Sequence, residues 1–75
     1  MRIVRVNWTD SSIQHGWQGD INECCVALCE DVGYLADEDD EKIILVRGIS
    51  NAGFLNSPMA IPKGAVISIK EMRCK

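Results

Sequence analysis

Within the first nine residues, positions 4–9 alternate strictly between apolar and polar side chains, and this alternation constrains the fold more than any other feature. Val4, Val6 and Trp8 fall on one side of an extended chain, while Arg5 and the polar residues at positions 7 and 9 fall on the other. A period of two in β-branched and aromatic residues is typical of a strand. No segment of the sequence keeps a helical period across ten residues, so the pattern predicts a β protein.

Four further segments predict strands, and turn residues separate them. They comprise residues 26–36, with a bend expected at Gly33, residues 42–49, residues 57–61, with Phe54 and Leu55 leading into them, and residues 65–72, in which Ala65, Ile67 and Ile69 share a face. Residues 10–19 predict a long polar loop, and residues 20–25 a short helix capped by Asp20. Pro62 lacks a backbone donor and is expected where its strand stops.

Five short strands in 75 residues predict a single domain, residues 1–75, folded as a small five-stranded SH3-like or Sm-like barrel. Closing the sheet would remove its edges. The run Lys42–Ile49 is almost continuously apolar, which is typical of a central strand or an interface. Since domains this small have thin cores, the sequence favours a homo-oligomer.

Eleven acidic and eight basic residues give a net charge of −3. Nucleic-acid backbones are bound largely by Lys and Arg, so this balance argues against duplex nucleic acid as a partner. The chain carries no signal segment and no apolar run near the ~20 residues that span a bilayer. We therefore expect a cytoplasmic protein with no membrane association, whose four cysteines are reduced thiols.

The residues that carry chemistry in other proteins are sparse here. A nucleophilic cysteine needs a positioned base, and the spacing of His15 to Cys24, Cys25 and Cys29 provides no such pair. The spacing of Cys25 and Cys29 occurs in zinc sites, and His15 and Cys74 could complete four ligands. On a strand, however, Cys25 and Cys29 would lie about 13 Å apart, which is too far for one ion. The acidic run at residues 37–41 is expected to be a solvated hairpin turn. We expect no enzyme activity, no metal and no cofactor.

Two tryptophans bracket a loop that is rich in short polar side chains, from Trp8 to Trp17. One interpretation is structural, with Asp10 and the serines satisfying the buried indole groups. The other is functional, with an indole as a stacking surface and Asp10 and Ser11 binding the polar edges of a ligand. The sequence leaves both interpretations open.

The order of several short motifs resembles a family of small phage and prophage proteins. These motifs are Trp8-x-Asp10-Ser11, Gly16-Trp17, Gly33-Tyr34-Leu35, an acidic turn, Ile43–Val46, Ile61-Pro62-Lys63 and Ile67-x-Ile69. The likeness spans nearly the whole chain, although the three cysteines in residues 20–29 depart from it. It implies a small barrel and a phage setting inside a bacterial host cell.

The resemblance implies no activity, but small accessory phage proteins often antagonise host defence, and we expect such a role here. The leading hypothesis is a homo-oligomer that sequesters a small nucleotide-type signalling ligand. Its predicted ligand-binding residues are Trp8, Asp10, Ser11, Trp17 and Lys63. One alternative is a protein–protein inhibitor that masks a host immune protein with the acidic hairpin or an apolar edge. Another is a small structural or assembly protein of the virion.

Overall fold

Strands dominate the computed structural model, which describes residues 1–13 and 15–73, apart from the side chain of Glu23. Two single-turn 3₁₀ helices, η1 and η2, are the helical elements of the described part. In chain order the elements are β1 (Ile3–Asp10), η1 (Ile21–Glu23), β2 (Ala27–Glu38), β3 (Lys42–Val46), β4 (Gly48–Ile49), β5 (Leu55–Asn56), β6 (Met59–Pro62), η2 (Lys63–Ala65) and β7 (Val66–Met72). The prediction of a mostly β fold is confirmed.

Five strands form one antiparallel sheet in the order β6-β3-β2-β1-β7, and β4 and β5 form a separate small hairpin. The predicted closure of the barrel is wrong for this sheet, because β6 and β7 are both edge strands. They follow each other in the chain, but the η2 turn separates them and β7 pairs with β1 instead. The sheet therefore stays open.

One face of the sheet holds the hydrophobic core. The alternation in β1 predicts this face correctly, since Val4 and Val6 are buried and Trp8 packs against them. Ile43 and Leu45 of β3 and Ile61 of β6 complete the buried cluster. Leu35, Met59 and Val66 cover its margins.

Two predicted details of the strands are wrong. Gly33 does not mark the irregularity of β2, because the register shift lies between Leu35 and Asp37. A glycine is needed at this position for a different reason, because a Cβ there would lie 2.9 Å from the carbonyl oxygen of Val46 on β3. The predicted face of β7 is wrong at Ile67. Ile69 lies opposite the buried Val6, on the core side, but a register shift opposite β1 places Val66 against the core and leaves Ile67 62% exposed.

The predicted turns and caps are confirmed. Asp20 caps η1, with Oδ1 accepting the backbone N–H of Asn22 at 2.9 Å. The acidic run forms the hairpin turn between β2 and β3, closed by the Asp39 N–H donating to the Lys42 carbonyl. Pro62 is the last residue of β6. The predicted strand 42–49 is broken at Arg47, where β3 ends and the chain turns into the β4–β5 hairpin.

Candidate functional site

A groove of about 340 Å³ opens where β2 and β3 part. The ladder between these strands starts at the pair Tyr34–Val46, so the preceding residues of β2 have no partner on β3. The segment that joins β5 to β6 forms the opposite wall. The lining residues are Asp31, Val32, Leu45, Val46, Arg47, Ser57, Pro58 and Met59.

The groove combines apolar walls with charges of both signs. Leu45 and Val46 are buried side chains in its lining, and Arg47 is an exposed cation that belongs to the same lining. Ser57 has a φ of 53°, a left-handed conformation that is strained for a non-glycine residue. Its hydroxyl donates to Asn56 Oδ1 at 2.9 Å. Such a site suits a ligand with an apolar or aromatic body and polar ends.

Trp8 holds the acidic side of this groove. Its indole Nε1–H donates to Asp31 Oδ2 at 2.8 Å, and its ring packs on the core cluster. Asp31 lies on the core-facing side of β2, where it is half-buried. The hydrogen bond connects the predicted ligand residue Trp8 to a carboxylate in the groove lining. Trp8 itself is outside the lining.

The other four predicted ligand residues lie in three further places. Asp10 and Ser11 are exposed at the end of β1, where Asp10 Oδ1 accepts the Ser11 N–H at 2.8 Å. Trp17 is fully exposed in the loop that follows. Lys63 lies in η2, with Nζ 3.3 Å from Glu38 Oε2. The structure thus brings Asp10 and Ser11 together, while Trp17 and Lys63 belong to separate regions.

Lys63 lines a second, smaller recess of about 230 Å³. Glu38, Ile43, Val66 and Ile69 form the rest of its lining. Because the ion pair with Glu38 already occupies the Lys63 ammonium, an anionic ligand there would have to compete with a carboxylate.

The sequence prediction missed Asp31, and the alternation in β2 is only a weak signal for it, because Leu28, Val32 and Tyr34 make the opposite side of the strand equally apolar. Cys29, Gly33 and Leu35 fall on the core-facing side of β2, and period two places Asp31 on that same side. A charged residue on an apolar face needs a partner or a function. No sequence pattern points to Arg47, because its place in the groove depends on where β3 ends.

Electrostatics at the β2–β3 turn centre on Asp39. Its Oδ2 forms an ion pair with Lys42 Nζ at 2.7 Å, and its Oδ1 accepts the backbone N–H groups of Glu41 and Lys42. The hydrogen bond from the Lys42 side chain and the two backbone N–H groups lower the pKa of Asp39 to about 2. The same ion pair raises the pKa of Lys42. The neighbouring Asp40 is exposed and forms no salt bridge with a described residue.

The cysteines of the described residues lie apart from any cluster of metal-ligating side chains. Cys24 and Cys25 are exposed free thiols, and Cys29 is a half-buried one. In residues 1–13 and 15–73, no three His, Cys, Asp or Glu side chains converge as metal ligands. The predicted role of Cys74 lies outside the described residues.

Comparisons with known proteins give no relative. No protein-family model matches the chain, and no curated protein or solved structure is similar to it. Neither 3₁₀ helix of the described part is long and apolar enough to cross a bilayer.

Proposed function

We propose that this chain is a non-enzymatic phage accessory protein that sequesters a small nucleotide-type signalling ligand and so antagonises host defence. It would act as a homo-oligomer in the cytoplasm of the bacterial host. The groove between β2, the end of β3 and the β5–β6 segment is the observation that carries the proposal. The phage setting rests on the resemblance of the sequence motifs.

The chemistry of the groove supports this class of ligand. Its volume of about 340 Å³ lies within the range of small-molecule sites, which is about 300–1,000 Å³. A guanidinium such as Arg47 binds phosphate oxygens through paired N–H donors. The Asp31 carboxylate can accept hydrogen bonds from the amino groups of a base, and Trp8 already fixes its position. The apolar walls would cover the faces of the base.

Within this proposal the fold is an open variant of an SH3-like barrel. Two features support that description. The last strand, β7, returns to pair with the first strand, and the single-turn helix η2 directly precedes it.

The experiment is native mass spectrometry of protein purified from its bacterial host, followed by calorimetry with the molecule that is recovered. We expect a bound molecule that contains phosphate, and we expect Arg47→Ala and Asp31→Asn to abolish its binding. Arg73→Ala is the matched control, because Arg73 is also exposed but lies outside the groove. If no ligand is retained, or if Arg47→Ala binds as tightly as Arg73→Ala, the proposal is wrong.

The acidic hairpin favours a second candidate function, inhibition of a host protein. Asp40 and Glu41 project at the turn after β2 and are exposed. Exposed carboxylates attract basic surfaces of the kind that immune proteins use to bind nucleic acid. This function predicts a stoichiometric host partner in a pull-down that Asp40→Lys weakens. Glu30→Lys, an equal charge change on an exposed position of β2, is the control.

A further inference from the structure

The molecule exposes more surface than a folded monomer of its mass should. Its accessible area is 6056 Å², whereas a folded chain of 8.3 kDa exposes about 4,600 Å². Its radius of gyration is 15.6 Å, compared with about 11 Å for a compact chain of this length. The excess of about 1,500 Å² per chain is more than the area of about 800 Å² that each partner buries in a standard-sized interface.

One exposed segment lies between β1 and β2, at residues 11–26, and we call it the arm. Every described side chain in the arm is exposed. Its large apolar side chains are Ile13, Trp17, Ile21 and Val26, and the Trp17 ring is as exposed as in an extended peptide. Tryptophan is the residue most enriched at the centres of protein interfaces. The arm is therefore a docking element that its own sheet does not cover.

The arm also has a consistent charge. It contains no Lys or Arg, and Asp20 and Glu23 make it acidic. A surface that covers it should be apolar and basic.

The sheet face opposite the core, which we call the outer face, carries such a patch around Val32. Glu30 lies on the same face, two residues before Val32, so the patch carries two cations and one carboxylate. Val32 of β2 and Met72 of β7 are exposed there beside the cations of Arg5 and Lys70. Arg5 and Lys70 are direct cross-strand partners, an arrangement that is destabilising for like charges. Neither forms a salt bridge with a described residue, and Arg5 Nε is buried without a hydrogen-bond partner among them. An incoming carboxylate would relieve this repulsion.

We propose that two copies of the chain exchange arms, so that the arm of each lies on the outer face of the other. Trp17 packs beside Val32 of the partner copy, and Asp20 lies near its Arg5 and Lys70. A reciprocal exchange forms a closed two-fold dimer, in which both copies use the same two surfaces. This inference deepens the homo-oligomer of the proposed function and rests on it. Apart from Val32, which also lines the groove, the residues that it names lie outside the groove lining.

The first test is the mass of the purified chain in solution, measured by light scattering across a dilution series. We expect a dimer. Trp17→Ala should raise the dimer dissociation constant about 30-fold, which corresponds to about 2 kcal/mol for a central aromatic residue. Phe54→Ala is the matched control, since Phe54 is also an exposed aromatic residue and lies outside both surfaces, and it should leave the constant unchanged. A wild-type monomer, a larger ring or a dimer insensitive to Trp17→Ala would overturn the proposal.

A charge exchange tests the pairing of the two surfaces. Asp20→Lys cancels the negative charge of the arm and places a cation near Arg5 and Lys70, and Lys70→Glu removes a cation from the outer face, so each variant alone should dimerise more weakly than the wild type. Mixed together, they should form a heterodimer more readily than either forms a homodimer, because the new cation of one variant then meets the new carboxylate of the other. Asp20→Asn, which keeps the acceptor that caps η1, controls for the lost cap. Equal association in all mixtures contradicts the pairing.

The same variants separate this inference from the function proposed for the groove. Trp17 and Lys70 lie outside the groove lining. If dimerisation fails while the recovered ligand still binds, the arm exchange is wrong and the groove proposal stands. If the dimer forms as expected but no ligand is recovered, the groove proposal is wrong and the arm exchange stands.

Discussion

Replacing Trp8 by Phe tests whether this tryptophan fixes one side of the groove. The change removes the indole N–H that donates to Asp31 Oδ2 at 2.8 Å and keeps an aromatic ring on the core. A hydrogen bond to a charged group contributes about 1.5–3 kcal/mol when both groups are buried. Trp8 and Asp31 are only half-buried, so water can replace part of the bond. We expect the interaction to contribute about 1 kcal/mol.

A double-mutant cycle measures this contribution without the change in ring size. Trp8→Phe is compared in the wild-type and Asp31→Ala backgrounds, because the loss of ring packing is common to both. Unfolding in urea is followed by far-UV circular dichroism, since fluorescence would mix Trp8 with the exposed Trp17. With a slope near 1 kcal/mol per molar urea, the coupling corresponds to about 1 M in the unfolding midpoint.

The control is a neighbour on the same strand. Asn7 donates to Ser68 Oγ at 3.3 Å, and that contact is exposed, so Asn7→Ala should change stability by less than about 0.5 kcal/mol. A coupling between Trp8 and Asp31 below about 0.3 kcal/mol is within the range of independent sites. That result would refute the view that Trp8 holds Asp31 in place.

Three further predictions concern the scaffold. Gly33→Ala places a Cβ 2.9 Å from the Val46 carbonyl oxygen, so it should lower the free energy of unfolding by about 1–3 kcal/mol in a urea titration. Ile61→Ala removes the side chain of a fully buried residue and should cost about 2–5 kcal/mol, whereas Ile13→Ala at an exposed position should cost little. The pKa of Asp39 lies near 2, below its ordinary value of 3.8, so its stabilising effect is complete above pH 4 and is lost as the pH falls towards 2. Asp39→Asn should remove that part of the acid sensitivity, and an NMR titration of the carboxyl group should give a midpoint near 2.

The features that the sequence predicts correctly depend on near neighbours in the chain. The core-facing side of β1 follows from strict alternation, and the cap at Asp20 follows from the residues next to it. The end of β6 follows from the missing N–H of Pro62. In each case the physical cause lies within a few residues of its effect.

The features that it misses depend on contacts between distant segments. The reason for Gly33 is a carbonyl thirteen positions further along the chain, on β3. Ile67 does not share the core-facing side with Ile69, because the register of β7 shifts opposite Asn7 and Trp8, and the pattern within β7 cannot reveal that shift. The partner of the Trp8 indole, Asp31, is 23 residues away, whereas the prediction placed that partner in the adjacent polar loop.

The predicted strand at residues 42–49 is interrupted at Arg47, and this interruption creates the groove. Residues 42–49 read as one continuous apolar strand, and in the register of β2 and β3 such a strand would pair Ile49 with Asp31. The space between β2 and β3 would then be filled by backbone hydrogen bonds, and no groove would exist there. Instead β3 ends at Val46, and the Arg47 N–H donates to the Asn56 carbonyl at the start of the β4–β5 hairpin. Asp31, without a partner on β3, is then held by Trp8 from the other side. The cavity proposed for the ligand is therefore a direct consequence of the point at which β3 ends.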